Sequence, residues 1–265
     1  MLSAKPVPSN LPNSSRVIEL SHPNGSRLMV NPEGAFIEAW TDTDGTELLF
    51  ARRNMQNGKN RGGIPVCAPI FGPGDTVGLN QHGFARNCVW EVYMQTESQV
   101  KLTLDNPSSQ VESLPPVYAG CCMELSIELL QNGVRETLSV RNIGVESFAI
   151  NPAFHPYFPI SSGESIEQIE VIIDGRSYGF TAEQLFATQK INSIESIAVL
   201  KTSKETWTVA GEGLPLFAAW SESVKDFLCV EPTASGYLTD AAPTQILPNK
   251  TAQVSMTLTY EQSPA

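Results

Sequence analysis

His155 and Glu231 are the two residues whose types and local sequence best suit proton transfer. Each directly precedes a proline, which favours an extended backbone, and each follows an apolar run. This context predicts that both side chains lie at strand ends in an apolar setting, where a titratable group is costly unless it is paired or used. A buried histidine bonded to a backbone carbonyl, or a glutamate bridging to an arginine, would leave the same pattern, so both interpretations stay open here.

Two glycine-containing segments that interrupt the alternating pattern carry candidate ligand-binding groups. In residues 60–73, Arg61 precedes two glycines; its planar guanidinium suits a phosphate or carboxylate, and the glycines let backbone N–H groups approach an anion. In residues 81–87, His82 and Arg86 are four positions apart on a loop and could converge on one ligand. A solvated surface charge for Arg61 and a structural hydrogen bond for His82 are the alternatives. Neither segment has the glycine spacing of a dinucleotide site or a P-loop.

Strands must position these groups, because alternation of apolar and polar residues recurs along the chain. Residues 123–129 and 254–260 each place four apolar side chains on one face. Asn132 and Gly133 lie between two alternating runs and predict a tight hairpin turn. Helical evidence is confined to residues 181–187, a short stretch that begins with a threonine cap. The predicted fold class is therefore all-β: one large antiparallel β-sandwich with very little helix.

The chain of 265 residues is expected to form a single domain over residues 16–265, after a disordered leader at residues 1–15 that is rich in proline and serine. No segment has the apolar length that a bilayer span requires, and the first 15 residues lack the apolar stretch of a secretion signal. The five cysteines are odd in number and lack CxxC spacing, which favours reduced, buried thiols. These features predict a soluble, cytoplasmic protein that is a monomer or a weak homodimer.

Four segments, in this order along the chain, resemble the signature segments of the aldose 1-epimerase superfamily. The first reads Asn-Arg-Gly-Gly-Ile-Pro-Val-Cys from residue 60 and ends in Phe-Gly-Pro at residue 73. The others are His-Gly-Phe-Ala-Arg-Asn from residue 82, Phe-His-Pro-Tyr-Phe from residue 154 and Cys-Val-Glu-Pro from residue 229. The resemblance spans roughly residues 16–260 and is greatest to the branch of glucose-6-phosphate 1-epimerases, the hexose-6-phosphate mutarotases.

The resemblance implies a galactose mutarotase-type β-sandwich, in agreement with the strand pattern. It implies that Glu231 is the catalytic base and His155 the catalytic acid. It also implies that Arg61 and Arg86 hold a sugar phosphate and that His82 lines the site. The chain departs from the family where His-Pro-Tyr-Phe replaces His-Thr-Tyr-Phe, and where residues 180–200 lack the expected Thr-Asp-Arg stretch and a substrate-binding aspartate.

The implied reaction needs an acid and a base and nothing else. The anomeric hydroxyl of a cyclic aldose loses a proton while the ring oxygen gains one; the open aldehyde then rotates and recloses. Glutamate and histidine have ordinary pKa values of roughly 4.3 and 6.5, so a carboxylate base is present near neutral pH, and a neighbouring carboxylate is expected to raise the pKa of the histidine acid. No cofactor and no metal are expected.

The net charge of −11, from 17 basic and 28 acidic residues, argues against nucleic acid and membrane surfaces as partners. Residues 51–86 nevertheless contain five basic side chains and one acidic one, a local charge of +4. This basic segment includes both arginines that the resemblance assigns to the phosphate, so the expected partner is a small-molecule sugar or sugar phosphate. A free aldose substrate and a non-catalytic carbohydrate-binding β-sandwich are the alternatives. A glycosidase is disfavoured, since no second carboxylate with its own motif partners Glu231.

Overall fold

A computed structural model describes residues 17–237 and 243–262. The leader predicted at residues 1–15 lies outside the described residues. One short helix, α1 (Ala182–Phe186), begins after the cap Thr181, as the sequence predicts. Brief 3₁₀ turns occur at Asp75–Val77, Ala85–Asn87, Pro107–Ser109, Pro116–Tyr118 and Ile166–Gln168. None of the helices within these two described ranges is long and apolar enough to cross a membrane.

Strands are the main regular element of the described structure. In chain order they are β1 (Ile18–Ser21), β2 (Arg27–Asn31), β3 (Phe36–Thr41), β4 (Arg53–Asn54), β5 (Asn60–Arg61), β6 (Val66–Cys67), β7 (Glu91–Gln95), β8 (Gln99–Leu104), β9 (Cys121–Leu130), β10 (Gly133–Asn142), β11 (Phe148–Ile150), β12 (Ala153–Phe154), β13 (Tyr157–Pro159), β14 (Glu170–Ile173), β15 (Arg176–Tyr178), β16 (Gln189–Asn192), β17 (Ile197–Lys201), β18 (Glu205–Glu212), β19 (Leu216–Trp220), β20 (Phe227–Thr233), β21 (Thr244–Ile246) and β22 (Thr251–Gln262).

Two antiparallel sheets build the sandwich. The larger has nine strands in the order β15-β14-β17-β18-β22-β10-β9-β8-β7, and the smaller runs β16-β19-β20-β12-β6, with β13 also paired to β20. A three-stranded sheet, β1-β2-β3, and the pairs β11-β21 and β4-β5 complete the described sheets. The predicted all-β antiparallel β-sandwich with very little helix is confirmed.

The predicted hairpin joins β9 to β10, but its turn residues differ from the prediction. Leu130 pairs with Gly133, so the two turn residues are Gln131 and Asn132 rather than Asn132 and Gly133. Gly133 is required for a different reason: a Cβ there would lie 2.5 Å from the carbonyl oxygen of Leu258 on β22. The glycine therefore permits close approach of a neighbouring strand and does not supply the turn conformation.

The apolar core lies between the two large sheets. Phe154, Phe217 and Val230 of the smaller sheet and Ile127 and Leu138 of the larger sheet belong to one buried apolar cluster. Successive side chains of a strand point to opposite faces, so each strand needs apolar residues only at every second position to reach this core. The alternation along β9 and β10 satisfies that requirement.

The second face of the smaller sheet points away from this core. Along β20, Leu228 and Val230 join the core, so Cys229 and Glu231 point the other way. Two smaller apolar clusters cover this face: one contains Phe50, Tyr157, Phe227 and Cys229, and the other contains Cys67, Phe71, Ala153 and Ala218. The polar residues that the sequence singles out lie on this second face.

Glu136 is a carboxyl group enclosed in the apolar core. It lies on the inner face of β10 and is fully buried, and neither of its side-chain oxygens has a hydrogen-bond partner in the described part of the chain. Its neighbours on β9 and β22 are Ile127 and Met256. Burial raises the pKa of Glu136 well above its ordinary value, because the charged form loses hydration that nothing replaces. The folded chain therefore keeps this carboxyl group protonated.

We expect Glu136→Met to stabilise the fold at alkaline pH and to weaken its pH dependence. A folded-state pKa above the ordinary value of 4.5 means that the folded chain holds a proton that the unfolded chain releases. Stability of the wild type therefore falls as pH rises from 4.5 to the raised value, by about 1.4 kcal/mol per pH unit for this one group. Thermal unfolding of both proteins between about pH 5 and about pH 9 measures the two slopes; identical slopes would contradict the assignment.

Candidate active site

The strand pairing on the second face brings His155 and Glu231 together. β12 and β13 both pair with β20, and the register on either side of the break between them places His155 opposite Glu231. Pro156 accounts for the break, because proline has no N–H to donate to the sheet. His155 lies at a strand end, as predicted. The prediction for Glu231 is wrong in detail, since Glu231 lies inside β20, two residues before its end.

His155 and Glu231 are both buried and face each other. His155 is 5% exposed and Glu231 is 2% exposed. The distance between His155 Nε2 and Glu231 Oε2 is 3.4 Å. Among the described residues, neither His155 Nδ1 nor Glu231 Oε2 has a hydrogen-bond partner. Buried polar atoms are rarely left unpaired, so this pair is poised to bond a ligand.

Burial favours the neutral form of both groups. It raises the pKa of Glu231 well above its ordinary value, a shift that the positive charge of Arg86 partly offsets. Burial also lowers the pKa of His155 well below its ordinary value, and His82 and the two nearby arginines add to this effect. The expected upward shift of the His155 pKa is therefore wrong for the unliganded site. Burial therefore favours placing the proton that this pair can exchange on Glu231, beside a neutral His155 imidazole.

His82 is held in one tautomer at the edge of the pair. Its Nδ1 accepts a hydrogen bond from the backbone N–H of Gly72 at 3.0 Å, and its own backbone N–H donates to the Gly72 carbonyl at 2.8 Å. A neutral imidazole that accepts at Nδ1 carries its proton at Nε2. The His82 ring lies edge-on to His155 at 5.7 Å between ring centroids. His82 therefore has a structural hydrogen bond and also offers an N–H donor to the site.

The backbone around His82 requires glycine at the next position. His82 has a φ of 65° and Gly83 a φ of 71°, both in the left-handed region. A Cβ at Gly83 would lie 2.2 Å from the carbonyl oxygen of Ala68. That same carbonyl accepts hydrogen bonds from the backbone N–H groups of the two residues that follow Gly83. The loop is thereby fixed to β6, and His82 is fixed with it.

Arg61 borders the site but is already paired. Its Nε and Nη2 donate to the two carboxylate oxygens of Glu222, at 2.7 and 3.0 Å, and its guanidinium lies 5.4 Å from the centroid of the Trp220 ring. Arg86 is half-buried, donates to the carbonyl of Gln81 at 3.3 Å, and its charge acts on both His82 and Glu231. The structure thus places both predicted arginines near His155 and Glu231 and adds Glu222, which the sequence did not single out.

Three further residues enclose the pair: Tyr157 and Cys229 belong to two of the four family-like segments, and Trp220 lies outside them. The ring of Tyr157 stacks on His155 at 4.8 Å with an interplanar angle of 4°, and Trp220 stands perpendicular to His155 at 5.9 Å. The predicted reduced state of the cysteines is consistent with the structure, in which all five thiols are unbridged. Cys229 lies within 4.8 Å of both members of the pair, measured between ligand atoms. Cys229 lies two residues before Glu231 in a strand, so both side chains are on one face. This spacing is the sequence signal that could have identified Cys229 as part of the site.

A row of cross-strand neighbours extends the site toward the sheet edge. Lys190 on β16 is opposite Ala218 on β19, which is opposite Glu231 on β20. Side chains in register share a face, so Lys190 lies on the same face as Glu231. Its Nζ lies 4.2 Å from the centroid of the Tyr237 ring, and Tyr237 packs on Phe71. Lys190 is therefore a third cationic side chain on this face, outside every predicted motif.

The fold is that of the galactose mutarotase-like β-sandwiches. A galactose mutarotase-like protein from Lactobacillus casei superposes with a TM-score of 0.77 at 15% identity, covering 93% of this chain and 100% of the other. A galactose mutarotase related enzyme from Lactobacillus acidophilus gives a TM-score of 0.73 at 20% identity, covering 93% of this chain and 97% of the other. At these identities the similarity establishes the fold alone.

The chain belongs to the aldose 1-epimerase family, whose model matches residues 16–256. A relative from Cenchrus ciliaris, provisionally named a glucose-6-phosphate 1-epimerase, is 27% identical over 244 residues, which cover 76% of this chain and 73% of the relative. A relative from Escherichia coli with the same provisional name is 39% identical over 83 residues, 29% of this chain and 28% of the relative. The resemblance seen in the four sequence motifs is confirmed at the level of the family.

We expect the His82 imidazole to remain neutral, with its proton on Nε2, throughout the physiological pH range. Burial, reinforced by Arg86 and then Arg61, lowers the pKa of His82 to about 3. Nitrogen-15 NMR of the imidazole, assigned with His82→Gln, should show chemical shifts of a single neutral tautomer that do not change between about pH 5 and about pH 8. A midpoint within that interval, or a proton on Nδ1, would contradict the geometry.

Proposed function

We propose that the chain interconverts the α and β anomers of an aldohexose 6-phosphate by acid–base ring opening and closure. The observation that carries the proposal is the buried pair of His155 and Glu231, whose facing atoms are 3.4 Å apart on one sheet face. Membership of the aldose 1-epimerase family supports sugar anomer interconversion as the reaction class. The provisional names of the relatives support a 6-phosphate sugar as the substrate.

In the proposed reaction Glu231 takes the proton of the anomeric hydroxyl, and His155 gives a proton to the ring oxygen. The bond between C1 and the ring oxygen breaks, leaving an aldehyde at C1 and a hydroxyl at the former ring oxygen. Rotation about the C1–C2 bond presents the other face of the aldehyde. The ring closes as His155 takes back its proton and Glu231 returns the other, so the pair ends in its starting state.

The proposed roles require the shared proton to lie on His155 when the sugar binds. Burial favours a neutral Glu231 carboxyl group and a neutral His155 imidazole, so transfer of the proton across 3.4 Å would produce a carboxylate and an imidazolium. Arg86 already favours the carboxylate form of Glu231. Hydrogen bonds from the anomeric hydroxyl to Glu231 would favour it further, since a bond to the charged form stabilises that form. Substrate binding would thus set the charge state that ring opening needs.

The proposed phosphate site uses the cations around the pair. Arg86 is half-buried and its charge reaches Glu231, and the guanidinium of Arg61 has donors beyond the two that bond Glu222. Arginine binds phosphate through parallel N–H donors, which suits both side chains. Lys190 on the same sheet face adds positive charge on the side toward β16. An anionic substrate is therefore favoured over a neutral one.

Glu231→Gln and His155→Asn should each lower the rate of anomer exchange at least about a hundredfold, because each removes one of the two proton-transfer groups. Exchange between α and β glucose 6-phosphate is measured by NMR saturation transfer. Glu170→Gln, a change on β14 of the other sheet, is the matched control and should retain the wild-type rate. Activity close to wild type in both site variants would rule out the assigned roles.

Arg61→Met and Arg86→Met should each raise KM for a hexose 6-phosphate about tenfold to a hundredfold, since each removes charge-assisted hydrogen bonds to the phosphate. KM for the free hexose should change much less. Arg53→Met is the control from the same basic segment, because the Arg53 side chain is 53% exposed and pairs with Glu47. Equal effects on the phosphorylated and free sugars would remove the phosphate-site proposal.

One observation favours a free aldose as the second candidate substrate. The bidentate pairing of Arg61 with Glu222 gives that arginine a structural role without any phosphate. Polarimetry with glucose and glucose 6-phosphate separates the two candidates, because a free-aldose enzyme would give the higher kcat/KM with glucose. A sugar phosphate that binds without accelerated anomer exchange would instead indicate a non-catalytic carbohydrate-binding protein.

A further inference from the structure

His155, Cys229 and Glu231 form a cluster of three metal-binding side chains that the proposed reaction uses only in part. One ligand atom from each residue lies within 4.8 Å of the other two, and all three side chains are buried. The strand geometry explains the grouping: Cys229 and Glu231 are alternate residues of β20 on one face, and His155 is opposite Glu231 on the neighbouring segment. Proton transfer between Glu231, His155 and a sugar gives Cys229 no role.

The donor atoms suit zinc in type and spacing. Imidazole nitrogen, thiolate sulfur and carboxylate oxygen are the ligands that zinc takes in proteins, and three of them leave a fourth position open. Tetrahedral zinc would separate the nitrogen and oxygen ligands by about 3.4 Å and a sulfur from either by about 3.6 Å. The observed separation of His155 Nε2 and Glu231 Oε2 is 3.4 Å. The sulfur of Cys229 lies within 4.8 Å of a ligand atom of each partner, so it is at most about 1.2 Å further away than this spacing requires.

The hydrogen bonding of Glu231 also supports a metal site. Its Oε2 atom is buried and has no hydrogen-bond partner among the described residues, although His155 Nε2 is close by. A buried carboxylate oxygen without a donor is costly, and a cation would satisfy it as well as a sugar hydroxyl would. The thiolate and the carboxylate together would balance the two charges of Zn²⁺, which offsets the repulsion from the nearby arginines.

We propose that His155, Cys229 and Glu231 bind Zn²⁺ and that this binding inhibits the enzyme by occupying its acid–base pair. Binding releases one proton from the Cys229 thiol and one from the Glu231 carboxyl group to the solvent; His155 donates a lone pair, and no electrons are transferred. Metal and sugar exclude each other, because both need Glu231 and His155. The inhibitory consequence rests on the proposed function, whereas the metal binding does not.

Titration of the full chain with Co²⁺ tests the binding without any measurement of activity. Cobalt bound to a thiolate gives a near-ultraviolet charge-transfer band, and cobalt adopts the geometry of zinc sites. The wild type should show this band, and zinc should abolish it. Cys229→Ser should lack the band, and Glu231→Gln should weaken cobalt binding about tenfold or more. Cys67→Ser, which changes another buried cysteine on this sheet face, should retain the band.

Near-ultraviolet circular dichroism establishes that each variant is folded, and Cys229→Ala is the second variant if Cys229→Ser is not. A wild type without the band, or a band that survives both changes at Cys229, overturns the proposal.

In the activity measurement, each variant is compared with its own metal-free rate. Zinc should inhibit the wild type and Cys67→Ser, and added sugar should raise the zinc concentration required for inhibition. Cobalt binding with no anomer exchange in the metal-free wild type would count against the proposed function and leave the metal site standing.

Discussion

The antiparallel pairing of β20 with the segment that Pro156 divides into β12 and β13 is the constraint on which the site depends. The pairing places His155 opposite Glu231, and the alternation of side chains turns both away from the sandwich core. A shift of register by one residue would exchange the two faces, so the apolar residues that fill the core also fix the positions of His155 and Glu231. The backbone hydrogen bonds that pair β20 with β12 and β13 therefore specify both the sheet and the position of His155 relative to Glu231.

Burial of His155 and Glu231 determines which protonation states of the two side chains are favoured. Tyr157 stacks on His155 and Trp220 stands across it, so the pair is shielded from water on the side of β19 and β13. Low exposure shifts both groups toward their neutral forms, which leaves one proton shared between a carboxyl and an imidazole. Glu136 experiences the same desolvation in the core, and its side-chain oxygens have no hydrogen-bond partner among the described residues. The two glutamates differ because Glu231 faces His155 and feels the charge of Arg86, whereas Glu136 has apolar neighbours on both adjacent strands.

The cationic side chains near the His155 and Glu231 face of the smaller sheet do not coincide with the basic segment at residues 51–86. Of the five basic residues between positions 51 and 86, Arg52 and Arg53 pair with Glu38 and Glu47, and Lys59 lies 3.9 Å from Glu222. Arg61 and Arg86 lie near His155, and Lys190 joins them from a strand more than 100 positions further along the chain. The local charge of +4 overstates the net positive charge of the folded segment, because Arg52, Arg53, Lys59 and Arg61 each lie close to an acidic side chain outside residues 51–86.

The sequence alone determined the elements that depend on neighbouring residues: the alternating strands, the β9–β10 hairpin, the capped turn of α1 and the four family motifs with His82, His155 and Glu231. These follow from local periodicity, turn residues and motif order. The three-dimensional arrangement was needed to show that Cys229 lies near the pair, that Glu222 holds Arg61 and that burial lowers the pKa of His155. It was also needed to show that Glu136 is buried with no hydrogen-bond partner in the described part of the chain. Those outcomes depend on strand register and burial, which bring together groups far apart in the chain and remove water from them.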